Sequence, residues 1–290
     1  MIPKQAFFFW SAPNLSYLRY LCIRSLREQN PDLPITLYYV PCSAHERTWS
    51  GGIKQDFEGE TPCYLNRLSD LNIEVSMGPD STGHPIHSSD LFRYSRLYSN
   101  GGIYVDTDIF WTQPIDALYE KFSSFDNVIS YSDRLCFQIG LLAGIPMSAF
   151  FYDLLGKAHS NLCNDAHYQA CGVDALLGML SDGLLEPPVR CEDALNKTWL
   201  SVLLERYPRT FILDGDLLYG IDGHDADSIF DGDVELNADS FVHLYGGSAA
   251  FQYYNRIIDE DSIRSIKGPI FNLIRSNLYD WQSSSRNAVL

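Results

Sequence analysis

Residues 87–110 read HSSDLFRYSRLYSNGGIYVDTDIF, and the change of period inside them decides the fold. Leu91, Tyr94, Leu97 and Tyr98 recur at three- and four-residue spacing, which predicts a helix over 88–99. Asn100-Gly101-Gly102 stops that helix, because glycine supplies the positive φ of a helix C-terminus. Ile103-Tyr104-Val105 then reads as a short buried strand, with Asp106-Thr107-Asp108 directly after it. Upstream, QAFFFW at 5–10 and ITLYYV at 35–40 read as buried strands, and IEVSM at 73–77 as a shorter one. Leu15, Leu18, Leu21, Cys22, Ser25 and Leu26 place a helix over 15–29, ended by Asn30-Pro31. Strands that are apolar throughout and alternate with helices imply a mostly parallel α/β sheet covered by helices.

Downstream the pattern is less regular. NVISYS (127–132), QIGLLAG (138–144), TFIL (210–213) and SFVHLY (240–245) predict strands. Helices are expected near 147–160, 172–181 and 193–205, and a helical tail from 257. Residues 41–70 mix glycines, charges and aromatics and are a candidate flap, as is the glycine-rich segment after His243. Residues 214–239 read as an acidic, loop-rich insertion. No repeat or linker divides the chain, so one domain over 1–290 is expected. Its first part, about 1–115, would hold a ligand at the sheet edge, and about 116–290 would form the remainder.

The formal net charge of −16 over 290 residues argues against nucleic acid and anionic lipid as partners. A composition 46% hydrophobic and 13% aromatic excludes a disordered chain. No apolar run reaches the roughly 18 residues of a membrane span, and Met1-Ile2-Pro3-Lys4 does not open a signal peptide. A cytoplasmic setting, bacterial or viral, is therefore expected. Cys22, Cys42, Cys63, Cys136, Cys163, Cys171 and Cys191 form no CxxC pair, which fits free thiols in a reducing compartment.

The chemistry concentrates at 90–108. Asp90 and Arg93 are three apart and share a helix face aimed at the C-terminal edge of the sheet, where open α/β sheets bind ligands. Taken alone they read as a surface ion pair worth under about 1 kcal/mol. Asp106 and Asp108 are two apart. On an extended strand both carboxylates leave one face, and two hard oxygen donors suit Mg²⁺ or Mn²⁺ bridging to substrate phosphates. Taken alone, an Asp-x-Asp is most often a solvated turn.

The whole string is more specific. Ser89, Asp90, Arg93, Tyr94, Leu97, Gly101, Gly102, Tyr104, Asp106 and Asp108 together resemble the sugar-binding region containing the DXD motif. That region is shared by glycosyltransferase family 32, its capsular-polysaccharide relatives and the glucosyltransferase domains of large clostridial toxins. The opening strand and helix and the late His243…Gly247-Ser248 element are similar too.

The resemblance implies a GT-A fold with an appended acceptor-binding part. It implies transfer of a hexose from a nucleotide-sugar, UDP-hexose favoured, with retention, to a sugar, glycan or glycolipid acceptor. It would give Trp10 the nucleobase and Asp90 the sugar hydroxyls. Arg93 would take the sugar and diphosphate, with Tyr94 and Gly102 also against the nucleotide-sugar. Asp106 would meet ribose, sugar or metal, Asp108 the metal directly, and His243 metal or diphosphate. Asp133 and Asp174 are candidate polar groups near the reaction centre, although each reads first as a helix cap or a surface acid. Mn²⁺ or Mg²⁺ is the implied cofactor. Two other readings are a transferase acting on protein side chains and a non-catalytic nucleotide- or carbohydrate-binding module.

Overall fold

A computed structural model of the chain describes residues 1–41, 62–79, 85–133, 136–164, 169–182, 196–215, 242–243, 272 and 274–276. The expectations for 42–61, for most of the acidic segment, for the glycine-rich segment after His243 and for most of the tail lie outside the described residues, as do Cys42 and Cys191.

Seven strands form the main sheet, in the order β3-β2-β1-β4-β7-β6-β8. They are β1 (Ala6–Ser11), β2 (Ile35–Val40), β3 (Glu74–Met77), β4 (Gly102–Val105), β6 (Asn127–Ser132), β7 (Cys136–Gly144) and β8 (Thr210–Asp214). All pairings are parallel except those of β7, which runs against both β4 and β6. A separate two-stranded piece joins β5 (Ile109–Phe110) to β9 (Val242–His243). This is the mostly parallel, helix-flanked sheet that the resemblance implied for a GT-A fold.

Both faces of the sheet are covered, and alternation along β1 shows how. Phe8 and Trp10 join the cluster under α1 (Tyr17–Gln29). Phe7 and Phe9 join the opposite cluster, under α2 (Pro85–Asn100), α4 (Ala149–Asn164), α5 (Val173–Ser181) and α6 (Asn196–Arg206). β4 alternates the same way, with Ile103 and Val105 toward α1 and Tyr104 toward α2. Every residue of β1 and β4 is buried, as expected of strands covered on both sides.

Several boundaries differ from the sequence reading. Helix α2 begins at Pro85, three residues early, since proline suits the first helical position. It ends as expected, with Gly101 at φ 65° and its N–H bonded to the Leu97 carbonyl. A short α3 (Asp116–Phe122) follows Pro114, an element the sequence reading did not assign. Of the candidate flap over 41–70, the described end is ordered against α1: Leu65–Leu71 is a 3₁₀ helix, Leu68 is fully buried, and Tyr64 packs on Tyr17 and Tyr20. Among the described residues no helix is long and apolar enough to cross a membrane. Cys22, Cys63, Cys136, Cys163 and Cys171 are free thiols.

Candidate active site at the sheet's switch point

The chain runs outward from β1 through β2 to β3, then returns to place β4 on the other side of β1. The order reverses between β1 and β4, and the crevice beyond their C-terminal ends is where such sheets take ligands. Trp10 is the last residue but one of β1, and Asp106 follows β4.

Arg93 is the centre of the site. It reaches from α2 with its side chain 7% exposed. Its Nη2 lies 3.1 Å from Asp90 Oδ1 and 3.4 Å from Asp106 Oδ1. Nη1 donates to the Ile139 carbonyl at 2.9 Å, Nη2 to Ser89 Oγ at 3.0 Å, and Nε to the Ser89 carbonyl. The guanidinium carbon stands 4.4 Å from the centre of the Tyr104 ring. The donor fork is thus committed to the protein, and it holds two carboxylates from two different elements. The Asp90–Arg93 pair is not the surface ion pair that spacing alone suggested. It is buried, because α2 lays that face on the sheet.

Asp106 is the more open of the two acids, its side chain 27% exposed. It also accepts a 2.5 Å hydrogen bond from the Tyr104 hydroxyl, which in turn lies 3.3 Å from Ser89 Oγ. Tyr104 and Asp106 are two apart and share the α2 side of the chain. Burial and the Asp106 charge push the Tyr104 hydroxyl well above its ordinary pKa, against the pull of Arg93, so it remains a donor. Burial pushes the Asp90 carboxyl up to about 6, with Arg93 working against that shift and Asp106 adding to it.

The chain does not stay extended after β4. Ile109 N–H turns back to the Asp106 carbonyl at 3.4 Å. Asp106 meets Arg93. Asp108 is 8% exposed, and its charge adds to burial in raising the Cys22 thiol of α1. The extended course on which both acids would leave one face is thus interrupted by a turn. Between them, Thr107 Oγ1 accepts a 2.9 Å hydrogen bond from Arg19 of α1.

The remaining predicted residues fall as follows. Trp10 is 9% exposed; its Nε1 donates to the Asn14 carbonyl and the Arg19 guanidinium covers its ring at 3.9 Å. Tyr94 is fully buried on α2, beside Asp90 and Cys171. Gly102 sits at the far end of β4, at φ 111°, where a Cβ would come within 3.1 Å of the Gln5 carbonyl oxygen. That position needs glycine for the chain's own packing. The His243 backbone pairs with Ile109, next to Asp108. Asp133 directly follows β6, and Asp174 lies in the first turn of α5. The residue before that helix, Gly172, approaches so closely that a Cβ there would be 3.2 Å from Asp90 Oδ2.

Spacing arguments missed Arg19, and gave Tyr104 and Ser89 no role beyond the motif. A cation inside the otherwise apolar face of α1 was the available signal for Arg19. For Tyr104 the signal was its position two before Asp106.

A metal can be weighed against these residues. Among the described residues no group of three or more His, Cys, Asp or Glu side chains could hold an ion. Mg²⁺ and Mn²⁺ need only one or two carboxylates when substrate phosphates and waters complete the shell. Asp106 and Asp108 fit that chemistry.

Residues 19–126 match the family described as "Glycosyltransferase sugar-binding region containing DXD motif". The match spans Asp90, Arg93, Asp106 and Asp108, while Trp10 and His243 lie outside it. It identifies the chain as an enzyme, a glycosyltransferase. No curated protein matches the chain. Among solved structures, the "PaToxG Glycosyltransferase" is 16% identical, at a TM-score of 0.47 over 71% of this chain and 75% of that one. The glycosyltransferase GlyE of Streptococcus pneumoniae TIGR4 is 14% identical, at 0.45 over 97% of this chain. The match spans 62% of GlyE, less than two thirds of its length. The UDP-bound glycosyltransferase domain from the YGT toxin is 9% identical, at 0.40 over 73% of this chain and 79% of that one. At these scores none of the three bears on what this chain does.

Proposed function

We propose that the chain is a metal-dependent, retaining hexosyltransferase that uses a nucleoside diphosphate sugar, UDP-hexose foremost, and a sugar, glycan or glycolipid acceptor. One observation carries this reading. A buried arginine braces two carboxylates at the topological switch point, and one of those carboxylates opens to the crevice.

In this reading Asp106 and Asp108 would hold Mn²⁺ or Mg²⁺, with His243 a further candidate beside them. The ion, when bound, supplies the positive charge that a departing diphosphate needs. An acidic protein then requires no basic patch to hold its donor. The chain's own residues do the rest. Asp90, anchored by Arg93, accepts hydrogen bonds from sugar hydroxyls. Arg93 does not reach out with a free fork; it keeps Asp90 and Asp106 in fixed orientations and places a cation beneath the diphosphate. Trp10, next to last in β1, offers the base its remaining exposed edge. Tyr94, fully buried, lies beneath Asp90 and does not itself reach the crevice. Fixed, partly dry groups of this kind stabilise developing charge without having to reorient as the bond breaks.

Isothermal titration with uridine and guanosine diphosphates, with and without Mn²⁺, tests the reading. Binding of one nucleotide that needs the metal and is lost in Asp108→Ala is the expected result. No binding of either nucleotide in the presence of Mn²⁺ overturns it. Release of nucleoside diphosphate from a panel of sugar donors then identifies the hexose.

A further inference from the structure

We propose that Arg19 is a positioning residue that locks the Asp106-Thr107-Asp108 turn to Trp10, so that the carboxylates and the base-facing tryptophan are set as one piece. The role assigned to these groups rests on the donor site described above; the lock itself does not.

The need for such a lock lies in the sheet. β1 pairs with β2 along its whole length, through Ser11↔Val40. It pairs with β4 only at Ala6↔Ile103 and Phe7↔Tyr104. Beyond Phe7 and Tyr104 no backbone register ties the two strands, and they part where the crevice opens. Trp10 and the acidic triplet both lie beyond that point. Trp10 stands three residues past the last pair on β1, and Asp106 two past it on β4.

Arg19 spans this gap from α1. Its guanidinium carbon stands over the Trp10 ring, 3.9 Å from its centre, and its Nη1 donates to Thr107 Oγ1 at 2.9 Å, across 88 positions of sequence. It is 3% exposed and Thr107 is 4% exposed. Removing a guanidinium from water costs several kcal/mol, so an arginine in this interior is retained for what it holds. A planar cation stacks with its face and donates from its edge at once. Lysine, a point charge on a flexible stem, does one or the other.

Thr107 is the middle residue of the acidic triplet. Asp106 on one side of it meets Arg93, and Asp108 on the other is almost wholly buried. A tether on the residue between them holds the turn that carries both acids. Arg93 holds the turn from one face of the sheet and Arg19 from the other.

Hydrogen exchange on the full chain without metal or nucleotide tests the lock directly. Arg19→Met and Thr107→Val should each speed exchange of the 107–109 amides about tenfold or more, the loss of one hydrogen bond to a charged group. The amides of Ile103 and Val105 should stay as they are. The double variant should match the single ones, since both remove the same bond. Arg19→Lys should fall between. Unchanged exchange at 107–109 overturns the proposal. So does equal acceleration at 103–105, which would mark general loosening. If Arg19→Met fails to fold, Thr107→Val alone decides, because it removes the acceptor at nearly constant shape.

A second readout links the lock to the donor. Uridine diphosphate with Mn²⁺ should bind about tenfold more weakly to Thr107→Val than to wild type. Wild-type affinity in that variant overturns the coupling to ligand. If wild type itself binds no nucleotide, the donor reading fails, while the exchange experiment still decides Arg19.

Discussion

Arg93 Nη2 stands 3.1 Å from Asp90 Oδ1, one turn back on the same helix, with both side chains almost wholly buried. The helix could form without this pair. The pair is there because the same guanidinium also meets Asp106 at the end of β4, joining the helix layer to the sheet at the ligand edge. Removing it strands two acids in a low-dielectric setting. Arg93→Met should therefore lose about 3–5 kcal/mol in urea unfolding near neutral pH, the cost of breaking a buried pair. Arg93→Lys keeps the charge but cannot serve Ile139, Ser89, Asp90 and Asp106 together, so it should be intermediate in stability. Equal stability of Arg93→Met and wild type would show that the pair is not buried in solution.

The Asp90 carboxyl makes a pH prediction with a definite sign. Burial raises its pKa from 3.8 to about 6 in the folded chain. The folded state thus holds this proton more tightly than the unfolded one. The stability that follows is fully present below about pH 4 and is lost as pH rises through about 6. Asp90→Asn mimics the protonated form and has no such loss. Thermal melts across this range should show the variant gaining on wild type as pH rises, while transfer activity falls at every pH. A constant difference between the two proteins would mean that Asp90 titrates normally.

Much of this was legible in the sequence because it is local. The apolar run at 5–10, the period of 88–99, and the stop at Asn100-Gly101 depend on neighbours within one turn or one strand. The sheet edge as a ligand site followed from strand–helix order alone. What escaped is set by contacts distant in sequence. The antiparallel course of β7 leaves no mark on its own apolar residues. The 3₁₀ helix at Leu65–Leu71 exists because Tyr64 and Leu68 find α1. The turn after β4 interrupts the extended course assumed for Asp106 and Asp108. Arg19 acquires its role from Thr107, which no spacing rule connects to it.

The glycine pair at the start of β4 carries a different kind of demand. Gly101 has φ 65°, and a Cβ there would lie 2.7 Å from both the Gly144 carbonyl oxygen and Pro146 Cδ. Left-handed backbone and lack of room act together. Gly101→Ala should cost more than the roughly 1 kcal/mol of a glycine-to-alanine change at a purely conformational site. Denaturant titration against Gly156→Ala, where nothing stands within 4 Å, separates crowding from helix propensity. The α4 variant should be neutral or slightly stabilised. A Gly101→Ala protein as stable as wild type would contradict the close approach of β4 and β7.

Tyr104 gives the sharpest test of how the open carboxylate is set. Its hydroxyl donates to Asp106 Oδ1 at 2.5 Å, and its ring lies under Arg93. Phenylalanine keeps the ring, and with it the packing and the contact with the guanidinium. Only the hydroxyl is lost. Asp106 then retains Arg93 at 3.4 Å as a partner but loses the bond that fixes which oxygen faces the crevice. Hydrogen bonds to a charged acceptor contribute about 1.5–3 kcal/mol, or roughly ten- to a hundredfold in an equilibrium or rate. Because burial keeps the Tyr104 hydroxyl protonated through the working range, the effect should not vary with pH below the tyrosine range. The expected outcome is a tenfold or greater fall in transfer rate at saturating donor, with a melting temperature close to that of wild type. Full activity in Tyr104→Phe would mean that Arg93 alone orients Asp106, and a large drop in melting temperature would assign the hydroxyl to folding instead.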